Sequence, residues 1–86
     1  MGKYDKLIAR ILYGQSDANI EFDDLCYLLE HLGFEVRTRG SHHVFRRHGV
    51  AEKINLQRQG SKVKVYQVKQ VREVIQKYRL LSQEDQ

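Results

Sequence analysis

The sequence predicts a small α+β domain in which helices pack on one face of a three-stranded antiparallel sheet. Apolar residues recur with a helical period in the first 32 residues, with a period of two between residues 34 and 57, and with a helical period again near the C-terminus. Short turns that contain glycine connect the segments of period two, and strands joined in this way pair antiparallel. A chain of 86 residues has room for only one small core.

Two helices are predicted in the N-terminal third. The first is Lys3–Tyr13, where apolar side chains follow the spacing i, i+3, i+4, i+7 and i+8 from Tyr4. Gly14–Asn19 is predicted to be a polar turn. The second helix begins near Phe22 with the same spacing, and Gly33 is placed to end it.

Three strands follow, and their predicted ranges are Phe34–Arg39, His42–Arg47 and Lys53–Gln57. The turns between them are Gly40–Ser41 and Arg47–Ala51. Apolar and charged residues alternate along these strands, and successive side chains of a strand point to opposite faces. One face of the sheet is therefore predicted to pack on the helices, and the other to face solvent.

The C-terminal part is predicted to be a loop over Gln59–Lys64 and a helix over Val68–Tyr78. We divide the chain into an N-terminal helical extension, 1–18, an α-β-β-β-α domain, 19–81, and a tail, 82–86.

Positive charge is concentrated in the middle of the chain. The net charge is +4, but residues 34–64 carry eight basic and two acidic side chains, whereas residues 1–33 have a net charge of −3. A dense, arginine-rich block is typical of a phosphate-binding surface, and a solvated strand face is the alternative interpretation.

Several classes of protein are disfavoured. No apolar run is long enough to span a membrane, and no secretory signal is visible. Cys26 is the only cysteine, so it cannot form an internal disulfide, which fits a cytoplasmic location, and its place on the helix stripe favours an inert, buried thiol. His42 and His43 are adjacent on a strand and point apart, so we expect no metal site and no cofactor.

The segment GSHHVFRR carries a family resemblance. It follows the sequence LGF at the end of the second helix, and it resembles the HicA-type toxins, small mRNA interferases of prokaryotic toxin–antitoxin pairs. Their motif is a Gly-Ser-His or Gly-Gly-His turn that enters the second strand, with an aromatic residue three positions after the histidine. The corresponding residues here are Gly40, Ser41, His42 and Phe45, and the resemblance covers roughly residues 20–80.

This resemblance implies a fold like that of double-stranded-RNA-binding domains, endoribonuclease activity without a metal, and His42 as the catalytic residue. It also implies an RNA substrate and a cognate HicB-type antitoxin that covers the histidine face. The sequence departs from the family pattern in two places. The helix Lys3–Tyr13 precedes the family core, and Gln59–Tyr66 lacks the proline-containing stretch that many members carry.

Strand alternation supports the same histidine. If Phe45 points into the core, His43 shares its side and His42 faces solvent. Arg37 and Arg39 then lie on the solvent face as well.

Lys53 is predicted on this face too, and we expect Arg37, Arg39, Ser41 and Lys53 to bind RNA. His42 would act as general base on a ribose 2′-OH, and the cations would stabilise the charge that develops on phosphorus. The sequence does not identify a general acid.

The other histidines have simpler interpretations: His43 packs at the edge of the core, His48 lies in a turn, and His31 is exposed on a helix. Two other functions stay open. The chain could be a non-catalytic RNA-binding module of the same fold, or a protein-interaction domain that uses its basic strip for an acidic partner.

Overall fold

The computed structural model describes residues 2–14 and 16–80. In chain order its elements are α1 (Lys3–Tyr13), a 3₁₀ turn (Asp17–Asn19), α2 (Phe22–His31), β1 (Glu35–Arg39), β2 (His42–Arg46), β3 (Ile54–Gln59), β4 (Lys62–Val63) and α3 (Val65–Tyr78). The predicted α+β class is confirmed, and the arrangement is compatible with a fold like that of double-stranded-RNA-binding domains. The predicted boundary at residue 18 stays a prediction, and the predicted tail lies outside the described residues.

The sheet has four strands rather than three. Its order is β1-β2-β3-β4, and every neighbouring pair is antiparallel. The prediction of a loop over Gln59–Lys64 was wrong, because Lys62–Val63 forms β4 and pairs with the end of β3. Gly60, with φ of +64°, makes the turn between them. A strand of two residues is too short to show a period of two, so alternation could not reveal it.

The core lies between the helices and one face of the sheet. Phe45 on β2 and Ile54 and Leu56 on β3 are fully buried there. Val36 on β1 is on the same face, opposite Phe45, yet it stays 37% exposed because the helices do not reach across β1. The helices complete the core with Leu7, Ile8, Ile11, Phe22, Leu25, Leu28, Leu29, Val68, Val71, Val74 and Ile75.

A partly buried ion pair fastens the N-terminal segment to α3. The Arg72 guanidinium binds the Asp17 carboxylate, and its Nε donates a hydrogen bond to the carbonyl oxygen of Ile11 at 2.8 Å. The side chains of Arg72 and Asp17 are only 19% and 15% exposed. One side chain therefore joins the end of α1, the 3₁₀ turn and the middle of α3.

The loop between β2 and β3 is tied to the end of α3. Glu52 accepts hydrogen bonds from Lys77 Nζ at 2.8 Å and from the Tyr78 hydroxyl at 2.6 Å. The Tyr78 hydroxyl also accepts a hydrogen bond from the backbone N–H of Ala51. The carbonyl oxygen of Lys53 accepts a further bond from Gln70 Nε2. These contacts hold the backbone on both sides of Glu52 in place.

Two further details differ from the sequence prediction. His31 is not simply exposed, because its ring stacks on Tyr4 of α1 with centroids 4.5 Å apart. The last helix begins at Val65, three residues before the predicted start, after an extended residue at Lys64. In the described part of the chain, no helix is both long and apolar enough to cross a membrane.

We expect Asp17→Ala to lower the free energy of unfolding by about 3 kcal/mol, because it leaves the Arg72 guanidinium partly buried without its carboxylate. The measurement is chemical denaturation. The matched control is Asp23→Ala, which removes the exposed ion pair with Arg58 and should cost about 1 kcal/mol or less. Equal losses in the two variants would contradict a special role for the Arg72 contact.

The Glu52 contacts predict a defined dependence of stability on pH. Hydrogen bonds from Lys77 and Tyr78 lower the pKa of Glu52 from 4.5 to about 2. A carboxyl group with a lowered pKa stabilises the fold fully above pH 4.5, and this contribution is lost as the pH falls to about 2. The difference in Tm between wild type and Glu52→Gln should therefore be constant near neutral pH and vanish in acid. Glu73→Gln, at an exposed position of α3, is the control and should show no such trend.

Candidate active site

The burial of Phe45 determines which side chains of β2 face solvent. Phe45 is fully buried, and His43 packs edge-on against Phe22 of α2 with ring centroids 4.9 Å apart. Because side chains alternate along a strand, His42 and Val44 lie on the opposite face, away from the helices. His42 is exposed there, as alternation predicted.

The turn before His42 has the geometry of a tight hairpin. Gly40 has φ of +57°, and Ser41 does not have a positive φ, which is the pattern of a type II′ turn. Glycine is favoured at the first position of such a turn because it has no Cβ to oppose the positive φ. The two-residue turn makes Arg39 and His42 direct partners across β1 and β2.

Gln57 lies on the other side of His42. It is the partner of His42 on β3, and its backbone N–H donates to Gln67 Oε1 at 3.1 Å. That N–H therefore points away from β2, so His42 and Gln57 form a non-hydrogen-bonded pair, in which Cα atoms are only about 4.5 Å apart. The Gln57 side chain contacts Ser41 Oγ and Lys64 Nζ, each at 3.4 Å.

Sequence reasoning did not select Gln57 or Lys64 for the site. The alternation that puts Lys53 and Asn55 on the solvent face of β3 also puts Gln57 there. The position of Gln57 on this face could therefore have been predicted from the sequence. No pattern in the sequence predicts that Lys64, just before α3, reaches back over the sheet to Gln57.

A shallow groove of about 640 Å³ runs along the solvent face beside His42. It contains more positive than negative side chains, and Val44 and Val50 give it apolar patches. Its charged lining residues are Arg37, Arg39, Arg46, Arg47, Lys53, Glu35 and Glu52. Its cationic side chains could bind a series of phosphate groups, and its apolar patches could contact flat, partly apolar rings attached between those phosphates.

The structure brings some of the predicted site residues together and separates others. Arg39 and Ser41 adjoin His42, and Arg37 lies two residues further along β1, opposite Val44. Lys53 is four residues from Gln57 along the chain, which is about 13 Å at the rise of a strand. Arg37, Arg39 and Lys53 all line the groove, whereas His42 lies at its end rather than among the lining residues.

The candidate metal ligands and Cys26 were the other reactive groups that the sequence suggested. Over residues 2–14 and 16–80, no group of three or more His, Cys, Asp or Glu side chains is arranged to hold a metal ion. Cys26 is half-buried on α2, and burial, with the nearby charges of Asp23 and Glu30, raises the pKa of its thiol to about 11. A thiol with so high a pKa is a poor nucleophile, although Cys26 is less buried than the helix stripe predicted.

Comparison with known proteins identifies a family for this chain. A family model described as HicA toxin of bacterial toxin–antitoxin matches residues 22–77. The matched range runs from the start of α2 almost to the end of α3, and it contains the hairpin, the groove and His42. Neither the curated proteins nor the solved structures gave a match. Because the family model covers more than half of the chain, the chain belongs to the HicA toxins of bacterial toxin–antitoxin systems.

Proposed function

We propose that this protein is the toxin of a type II toxin–antitoxin system and acts as a metal-independent endoribonuclease on mRNA in the cytoplasm. The observation that carries the proposal is an exposed histidine, His42, paired with Arg39 at the end of a cationic groove. When RNA is cleaved by attack of its own 2′-hydroxyl, the reaction requires a general base for that hydroxyl and cations that bind the phosphate.

In the proposed reaction, the RNA backbone lies along the groove with its phosphates near Arg37 and Arg39. His42 removes the proton from a ribose 2′-OH, and the 2′-oxygen attacks the adjacent phosphorus. The bond from phosphorus to the 5′-oxygen breaks, and the departing 5′-oxygen takes up a proton. The products are a 2′,3′-cyclic phosphate and a 5′-hydroxyl. An imidazole has the basicity for this step near neutral pH.

The neighbours of His42 suit the other needs of the reaction. Arg39 can stabilise the extra negative charge on phosphorus, since a guanidinium forms two parallel hydrogen bonds with phosphate oxygens. Lys64 brings a second cation to the opposite side of His42 through its contact with Gln57. Ser41 and Gln57, hydrogen-bonded to each other, border the site and can orient a ribose or phosphate group.

The proposed partner is a HicB-type antitoxin protein that blocks the histidine face. A basic face that binds RNA phosphates attracts an acidic protein surface by the same charges.

We expect His42→Ala to lower the rate of RNA cleavage by about 10²- to 10⁴-fold, which is the usual contribution of a positioned general base. The measurement uses purified protein, a defined single-stranded RNA and excess chelator, with analysis of the product ends. His31→Ala is the matched control, because it removes a histidine of α2 that stacks on Tyr4 in the helix layer. It should cleave like wild type and give the same 2′,3′-cyclic phosphate ends.

Two results would contradict the nuclease proposal. Equal cleavage by wild type and His42→Ala would mean that a contaminant or another residue is responsible. RNA binding without cleavage in any variant would instead favour a non-catalytic RNA-binding module of the same fold.

We also expect Lys53→Ala to weaken RNA binding and to make the slope of log K against log salt shallower by about 0.7, the value for one phosphate contact with a single strand. The measurement is a titration of RNA into the protein at several salt concentrations. Lys69→Ala, at an exposed position of α3, is the matched control. An unchanged slope in Lys53→Ala would exclude Lys53 from the RNA path.

A further inference from the structure

β1 is an outer strand of the sheet with unpaired backbone groups. The pair Arg39–His42 closes a two-residue turn, so these residues exchange backbone hydrogen bonds, and hydrogen-bonded pairs then alternate along the ladder. The N–H and C=O groups of Arg37 and Arg39 therefore point to β2, whereas those of Val36 and Thr38 point away from the sheet. Within residues 2–14 and 16–80, no backbone hydrogen bond joins this outer edge to another segment.

A groove of about 250 Å³ lies under β1 on the helix-facing side. Val36 and Thr38 line it from the strand, and the apolar side chains Phe22, Cys26 and Tyr27 line it from α2. Charged side chains line it as well, namely Asp23 and Glu30 of α2 and Arg58 of β3. Two of the apolar side chains are well exposed, Tyr27 at 54% and Val36 at 37%. The helix layer therefore ends before β1, and apolar surface stays open beside an unpaired strand edge.

The opposite face of β1 is cationic. Arg37 and Arg39 point away from the helices and line the larger groove next to His42. In the described chain, neither arginine takes part in an ion pair. Glu35 is at the start of the strand, opposite Arg46. A chain segment that paired with β1 would therefore meet the exposed apolar side chains of Val36 and Tyr27 on one side, in a groove that also has charged walls, and mainly positive charge on the other.

We propose that the antitoxin adds an extended strand to the outer edge of β1. Its side chains would alternate between acidic residues that contact Arg37 and Arg39 and apolar residues that enter the groove beside Val36 and Tyr27. This inference rests on the proposed function, because it takes the partner to be the antitoxin.

The alternation of acidic and apolar residues follows from the two faces of β1. On a strand, neighbouring side chains point to opposite sides, so only a segment of period two satisfies both faces at once. The main chain of the added strand would satisfy the outward N–H and C=O groups of Val36 and Thr38. An extended edge with unpaired backbone is a known template for such pairing.

This mode of binding also explains how the antitoxin would inhibit RNA cleavage. Adjacent strands lie about 4.8 Å apart, so the added strand would be about 10 Å from β2, which carries His42. Its acidic side chains would occupy Arg37 and Arg39, which the proposed reaction uses to hold phosphates. RNA and antitoxin would therefore compete for the same two guanidinium groups.

The test is the variant Thr38→Pro, compared with Thr38→Val. Proline removes the outward N–H of Thr38 but none of the hydrogen bonds between β1 and β2, and edge strands tolerate it at such positions. We expect the affinity for the cognate antitoxin to fall at least tenfold in Thr38→Pro and to change little in Thr38→Val, which keeps the N–H. RNA cleavage by both variants should equal that of wild type, since Thr38 faces the helices.

Amide hydrogen exchange of the wild-type complex is the second measurement, and it does not depend on any variant folding. Binding of the antitoxin should slow exchange at the N–H groups of Val36 and Thr38. The proposal would be overturned if antitoxin binding left exchange unchanged at both N–H groups. It would also be overturned if folded Thr38→Pro bound the antitoxin as tightly as wild type does. Protection of the same amides by self-association of this chain alone would overturn it too, because the occupant would then be a second copy. Failure of the nuclease proposal is distinguishable from these outcomes, because the wild-type protein would then not cleave RNA.

Discussion

The burial of Phe45 is the constraint on which the rest of the candidate site depends. Because side chains alternate along a strand, a shift of β2 by one residue would expose Phe45 and turn His42 toward the helices. Exposing one such aromatic side chain costs about 1.5–3 kcal/mol, and an imidazole in the core would lose its contact with water. The position of a residue proposed to do chemistry is therefore determined by the packing of an apolar residue three positions away.

Arg37 and Arg39 on the solvent face of the sheet differ from several other charged side chains, because they take part in no ion pair within the described chain. Away from the solvent face, several charged side chains form ion pairs, as in Arg72 with Asp17 and Lys62 with Glu21. On the solvent face, Arg37 and Arg39 stand side by side on β1 without a carboxylate in the described chain that forms an ion pair with them. Like charges at this spacing repel each other, so an anionic ligand would relieve an electrostatic cost already present in the unliganded protein.

Much of the fold was predictable because long elements repeat their pattern often enough to be recognised. α1 spans Lys3–Tyr13 as predicted, and the alternation in β2 correctly predicted the opposite directions of His42 and His43. β4 was missed because two residues contain no repeat. The exposure of Val36 was also missed, since alternation predicts which face a side chain joins but not how far the opposite layer extends.

The least predictable features are contacts between residues distant in the sequence. The stacking of His31 on Tyr4 and the reach of Lys64 to Gln57 depend on how whole elements are positioned against each other. Sequence reasoning named His42 from a local motif and Arg37, Arg39 and Lys53 from strand alternation, but neither signal predicts that Lys64, just before the last helix, contacts the site. The catalytic role of His42 stays a prediction, because the position of a side chain does not by itself establish that it catalyses a reaction.

The contact between Arg72 and Ile11 joins residues 61 positions apart. Contacts of such long range form late, since most of the chain must be present before the loop between them can close. On a translating ribosome, the sheet can therefore pair through its short turns while α1 still lacks the helix on which it packs. The protein completes its core only when α3 has emerged, so until then the apolar face of the paired sheet stays open to proteases.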